Sequence, residues 1–130
     1  MHKILIVEDD ADVRLGLNAV LRANRYETAF AADAMSAIVE ARRCRPDLIL
    51  LDIGLPAGDG FVVMERLRAN MQLSRIPIVV VSARPAQSTA DRAIQSGAQA
   101  FLQKPVDNDL LLRTVLDVLG ETRAEMASVA

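Results

Sequence analysis

The sequence predicts an α/β fold, a doubly wound five-stranded parallel sheet with helices on both faces. Three observations predict it. Five short aliphatic runs alternate with five segments of helical apolar periodicity at regular spacing. The run Leu48-Ile49-Leu50-Leu51 has no polar face, which suits a strand buried on both sides. The unusual polar residues all fall just after the strand-like runs, at the edge where open parallel sheets gather their ligands.

Lys3 to Val7 is rich in branched residues and reads as the first strand. Glu8, Asp9 and Asp10 follow. Asp10 is placed to cap a helix running to about Asn24, with Val13, Leu17, Val20 and Leu21 on one face. Tyr26 to Ala31 is a more polar strand, expected at an edge. Asp33 caps a helix to about Arg43 in which Met35, Ile38, Val39 and Arg42 recur at helical spacing, and Pro46 punctuates it. The central strand ends at Leu51, and Asp52 to Gly58 form a loop. Asp59 caps a third helix whose expected stripe is Phe61, Val62, Met64, Leu67 and Met71. Pro77 to Val81 is the fourth strand, ending at Ser82. A polar helix from about Ala86 to Gln95 is terminated by Ser96-Gly97. Gln99 to Leu102 is a short fifth strand, and Lys104-Pro105 is the next turn. Asp107 or Asn108 caps a last helix that Gly120 is expected to close. Residues 1–120 thus read as one domain, and 121–130 as a tail or linker stub with Ala and Glu enough to continue helical but little to bury.

Composition narrows the function. The chain has 130 residues, 52% of them hydrophobic, with one Tyr, three Phe and no Trp, so the core must be aliphatic. A single cysteine, Cys44, excludes an internal disulfide and fits a reducing compartment. No segment approaches a membrane span, and Met1-His2-Lys3 leads into a strand with no signal peptide ahead of it, so the expected location is the cytoplasm, with no membrane partner. The formal net charge is −2 and there is no basic tract, which argues against direct nucleic-acid binding. Lys3 and Lys104 are the only lysines among 15 lysines and arginines, so a lysine in a loop after a strand stands out.

Parallel strands bring the residues that follow them to one edge. Glu8, Asp9, Asp52, Ser82 and Lys104 therefore converge in one crevice. Two carboxylates about 4 Å apart repel by roughly 4 kcal/mol at an effective dielectric near 20. Three such groups raise a pKa or recruit a cation. Oxygen-only ligands favour a hard ion, Mg²⁺ in particular, which can neutralise phosphoryl oxygens. Lys104 would bind a further oxygen as a compact charge, and Ser82 would donate a hydrogen bond to another. A carboxylate can itself be the nucleophile, as in aspartyl-phosphate chemistry, and Asp52 is the central one.

Four motifs carry a family resemblance: Val7-Glu8-Asp9, Leu50-Leu51-Asp52-Ile53-Gly54-Leu55-Pro56-Ala57-Gly58-Asp59-Gly60, Val80-Val81-Ser82-Ala83 and Phe101-Leu102-Gln103-Lys104-Pro105. Their order and spacing resemble the receiver domains of bacterial two-component response regulators, over residues 3 to about 119. The resemblance implies the flavodoxin-like strand order 2-1-3-4-5, for which a receiver protein is already a standard example. It implies Asp52 as phospho-acceptor, Asp9 as direct Mg²⁺ ligand, Glu8 acting through water, and the backbone carbonyl of Gly54 as a further ligand. It also implies Lys104 as the phosphate-binding lysine, Ser82 as switch hydroxyl, Phe101 as switch aromatic, and a cis bond before Pro105. Asp10 falls one position beyond the acid pair and stays a helix cap.

The implied function is signalling: a phosphoryl group passes from a sensor histidine kinase or histidine phosphotransfer protein to Asp52, switching the surface of the fourth helix, fifth strand and fifth helix. The protein would assist its own phosphorylation without being a conventional enzyme. The output would be a downstream protein partner, a covalently linked output domain or a phosphorylation-dependent homodimer. A flavodoxin-type cofactor binder would need a hydroxyl-rich phosphate loop where Glu8-Asp9-Asp10 stand. A haloacid-dehalogenase-like phosphatase would need an aspartate at Gly54, and no nucleotide-binding P-loop is present. The remaining alternative is a receiver-like interaction module that works without phosphorylation, and the complete set of polar residues speaks against it.

Overall fold

The computed structural model describes residues 1–55 and 60–129, with side chains described through residue 120. In chain order the elements are β1 (Lys3–Val7), α1 (Ala11–Ala23), β2 (Glu27–Ala31), α2 (Ala34–Cys44), β3 (Leu48–Leu51), α3 (Gly60–Ala69), β4 (Ile78–Ser82), α4 (Ala86–Gln95), β5 (Ala100–Gln103) and α5 (Asn108–Val129). All strand pairs are parallel, in the order β2-β1-β3-β4-β5. The expected order holds, with the polar β2 at an edge.

The aliphatic runs serve both faces at once. Ile4, Ile6, Leu48, Leu50, Val79 and Val81 pack with Leu17 and Leu21 of α1 and with Leu111 and Val115 of α5. Their neighbours Leu5, Val7, Ile49, Leu51 and Val80 pack against α2, α3 and α4 on the other side. Alternation along each strand is intact, but both faces are dry, so the sequence shows no polar alternation.

Side-chain caps start three helices. The Asp10 carboxylate accepts from the backbone N–H groups of Asp12 and Val13. Asp33 accepts from Ser36 N–H in a capping box. Asp107 accepts from Leu110 N–H. The cap expected at Asp59 lies outside the described residues, as do Pro56, Ala57 and Gly58 of the loop. Gly97, with φ +110°, follows the end of α4 as expected.

Three expectations fail. Met35 and Val39 point to solvent; α2 buries Ala37 and Ala41 instead, because small side chains let the helix lie close on the sheet. Met71 is not part of α3, which ends at Ala69; Asn70 folds the chain into a turn, its side chain accepting from Gln72 N–H, and Leu73 takes the buried place. The half-exposed Val62 also leaves the stripe. Gly120 does not close α5: it lacks the left-handed conformation of a helix cap, and the helix continues to Val129. A glycine costs a helix about 1 kcal/mol relative to alanine, which does not end a helix whose next residues include Glu121, Ala124 and Glu125.

Candidate functional site

The sheet register sets the site. Val7 pairs with Leu51 and Leu51 with Val80, so Glu8 and Asp52 leave β1 and β3 in the same row. Ser82 pairs with Gln103, one residue before Lys104. The backbone continues the ladder: Asp52 N–H donates to Val7 O, and Lys104 N–H donates to Ser82 O. The turn after Asp52 is held by Gly60, whose N–H donates to Ile53 O at 2.9 Å. A Cβ on Gly60 would lie 2.5 Å from Ile53 Cα and 2.8 Å from Asp52 O, so only glycine fits.

Lys104 Nζ donates to both oxygens of Glu8, at 3.0 and 2.8 Å, and to Asp52 Oδ2 at 3.3 Å. Asp52 Oδ1 accepts from Gly54 N–H at 2.9 Å. Glu8 and Asp52 are buried, 2% and 7% exposed. Burial raises the Glu8 pKa from its ordinary value of 4.5 and the charge of Asp52 adds to this, while the bond from Lys104 pulls it back. Burial pushes the Lys104 pKa down, but the bond to Glu8 and the charge of Asp52 outweigh it, and the net shift is upward. Both shifts favour the proton-bearing form of each partner in the pair. We read it as ammonium and carboxylate, because a neutral Glu8 would strip the Lys104 charge of its main partner.

Glu8, Asp9 and Asp52 each offer an oxygen, all within 4.8 Å of one another. Asp9 is exposed and has no hydrogen-bond partner among the described residues. An oxygen-only set of three acids fits a hard divalent cation such as Mg²⁺. Ser82 is buried, and its Oγ accepts from Arg84 N–H at 3.0 Å, which leaves the hydroxyl proton free to donate. Phe101 is half-buried and packs on the α2–α3–α4 side of the sheet, opposite Val80. The Lys104–Pro105 peptide is cis.

Glu8, Asp9, Asp52 and Lys104 thus meet in one cluster, with Ser82 at the adjoining strand end. One residue at the site carried no motif signal. Arg14 Nη1 donates to the backbone carbonyl of Glu8 at 2.9 Å, and its guanidinium lies 5.9 Å from the centre of the Phe30 ring.

Comparison with known proteins places the chain in a family. The response regulator PleD of Caulobacter vibrioides is 40% identical over 133 residues, covering 97% of this chain and 29% of PleD. The transcriptional regulatory protein YxdJ of Bacillus subtilis is 35% identical over 128 residues, covering 98% of this chain and 55% of YxdJ. The chain therefore spans well under two thirds of these relatives. Among solved structures, the receiver domain of the sensor histidine kinase PA1611 from Pseudomonas aeruginosa PAO1, with a magnesium ion coordinated in its active-site cleft, superposes with a TM-score of 0.84 at 32% identity. That match covers 92% of this chain and 98% of the other. The response regulator receiver domain family itself matches residues 4–116, and the chain belongs to that family.

Proposed function

We propose that this domain accepts a phosphoryl group on Asp52 from a phosphohistidine of a sensor kinase or phosphotransfer protein, with Mg²⁺, in the cytoplasm. The observation that carries this is the single ammonium of Lys104 bridging Glu8 and Asp52 beside the unpartnered Asp9. Asp9 and Asp52, with the carbonyl of Gly54, would hold the ion directly. Glu8, committed to Lys104 through both oxygens, would act through water. When bound, Mg²⁺ neutralises charge on the phosphoryl oxygens.

In the transfer, a carboxylate oxygen of Asp52 attacks phosphorus. The P–O bond forms as the P–N bond of phosphohistidine breaks, and the released imidazole takes its proton from solvent. Lys104 exchanges its bond to Asp52 for one to a phosphoryl oxygen, and Glu8 keeps the ammonium in place. Ser82 donates its hydroxyl proton to another phosphoryl oxygen, and Phe101 turns toward the space left behind β4. The surface of α4, β5 and α5 changes with it and is read by a partner or a linked output domain. Relatives that extend beyond the matched region support the linked domain.

Incubation with acetyl phosphate and Mg²⁺ should label Asp52, mapped by mass spectrometry. Asp52→Asn should abolish labelling, and chelation of Mg²⁺ should suppress it in the wild type. Undiminished labelling of the Asn variant would overturn the assignment.

A further inference from the structure

We propose that Arg14 is a positioning residue for the metal-binding acid Asp9, acting through the Glu8–Asp9 peptide. This rests on the phosphoryl-acceptor reading above.

Glu8 sits where β1 gives way to a loop. Its N–H is still in the ladder, donating to Ala31 O at 3.0 Å. Its carbonyl takes a side-chain donor, Arg14 Nη1 at 2.9 Å. A carbonyl on a buried residue needs a donor, and here the donor comes from α1, one helical turn beyond the cap. The guanidinium is steadied from the sheet edge by the Phe30 ring, 5.9 Å away and within the range of a cation–π contact.

The consequence falls on Asp9. The carbonyl of Glu8 and the N–H of Asp9 share one rigid peptide plane. Fixing that plane fixes where the Asp9 side chain leaves the backbone. Asp9 needs this, because its own carboxylate is exposed and unpartnered among the described residues, unlike Glu8 and Asp52, which Lys104 holds. Of the three acids, Asp9 alone has its place set by backbone, which Arg14 holds on the Glu8 side and the Asp10 N–H, donating to Glu8 Oε1 at 3.3 Å, holds on the other.

Charge and geometry predict opposite signs. Removing a cation near three carboxylates should, by Coulomb's law alone, tighten Mg²⁺ binding. Loosening the peptide should weaken it. Outer residues that orient metal ligands typically contribute about tenfold or more in affinity.

The test is an NMR titration of the protein with Mg²⁺, alongside amide hydrogen exchange of the metal-free protein. Arg14→Ala should weaken Mg²⁺ binding about tenfold and speed exchange at Glu8 and Asp10, whose N–H groups donate to Ala31 O and Glu8 Oε1, with α5 protection unchanged. Arg14→Lys keeps the charge but loses the planar fork and should stay weak. Arg14→Gln keeps an amide donor and should recover part of the loss. Phe30→Leu should give a smaller loss of the same sign. Unchanged or tighter Mg²⁺ binding in Arg14→Ala, with the wild type binding normally, would overturn the positioning role. Failure of the wild type to bind Mg²⁺ would instead overturn the phosphoryl-acceptor reading on which it rests.

Discussion

The two helices beside β5 are held in opposite ways. α5 buries Leu111, Val115, Val118 and Leu119 and starts on Asp107, whose carboxylate accepts from Leu110 N–H. α4 buries only Thr89 and Ala93, and it starts on Pro85, which gives no side-chain hydrogen bond. Its main tie on the outer side is Arg92, whose guanidinium lies 3.8 Å from the centre of the Phe61 ring. Apolar burial stabilises by roughly 25 cal/mol per Å², so four aliphatic anchors against a threonine and an alanine is a difference of several kcal/mol in attachment. Phe101, on β5, packs on the face of the sheet that α4 covers, and α5 covers the other. A ring moving there meets the weakly anchored helix, while the firmly anchored one lies across the sheet.

The largest effect that could break this contrast is in the packing. Leu111→Ala should cost about 2–5 kcal/mol in urea unfolding. Thr89→Ala, which removes a methyl and a weakly bonded hydroxyl, should cost about 1 kcal/mol. Equal losses would mean that α4 is anchored as firmly as α5.

A second effect works through the cap. Pro85→Asp gives α4 the start that α1, α2 and α5 have, which is worth about 1 kcal/mol. Amide exchange should slow along α4 and nowhere else. The response of α4 to beryllofluoride should shrink in the same variant. In the wild type, beryllofluoride should change exchange across residues 86–103 and leave Leu111 to Leu119 unchanged; a response confined to the loops at Asp9, Asp52 and Lys104 would refute the switch.

The smallest effect is with pH. The N–H of Ser36 holds the Asp33 carboxylate below the ordinary aspartate value of 3.8. A carboxylate whose folded pKa is lowered stabilises the fold above its unfolded value, and the contribution is lost as pH falls through the folded one. Protection at the start of α2 should therefore fade as pH falls below 3.8. α4 has no cap carboxylate to titrate and should show no step from this cause.

Strands and caps were legible because each has a local cause. A buried parallel strand needs an aliphatic run, and a helix start needs a short acceptor, so β1, β3 and β4, Asp10 and Asp33 could be placed from neighbours in sequence. Helix faces were harder, because Met35 and Val39 outweigh Ala37 and Ala41 in hydrophobicity while close approach to the sheet selects for small size. The meeting of acids and lysine was legible from topology, since parallel strands share an edge. Which acid Lys104 grips was not, because Glu8 lies 96 residues away and the choice depends on register. Arg14 was invisible for a related reason: its partner is a main-chain carbonyl, and a carbonyl has no letter in the sequence.

The reach of Lys104 has a consequence for the life of the molecule before it is complete. During synthesis both buried acids are made long before the ammonium that balances them. Until β5 joins the edge, Glu8 and Asp52 lack the ammonium that holds them, and a nascent or clipped chain ending before residue 104 keeps its acceptor aspartate but lacks the lysine proposed to bind an incoming phosphoryl group. On the proposed function, the phosphoryl-binding lysine is the last part of the site to be made, so a chain completes its acceptor pocket only when it closes its last strand.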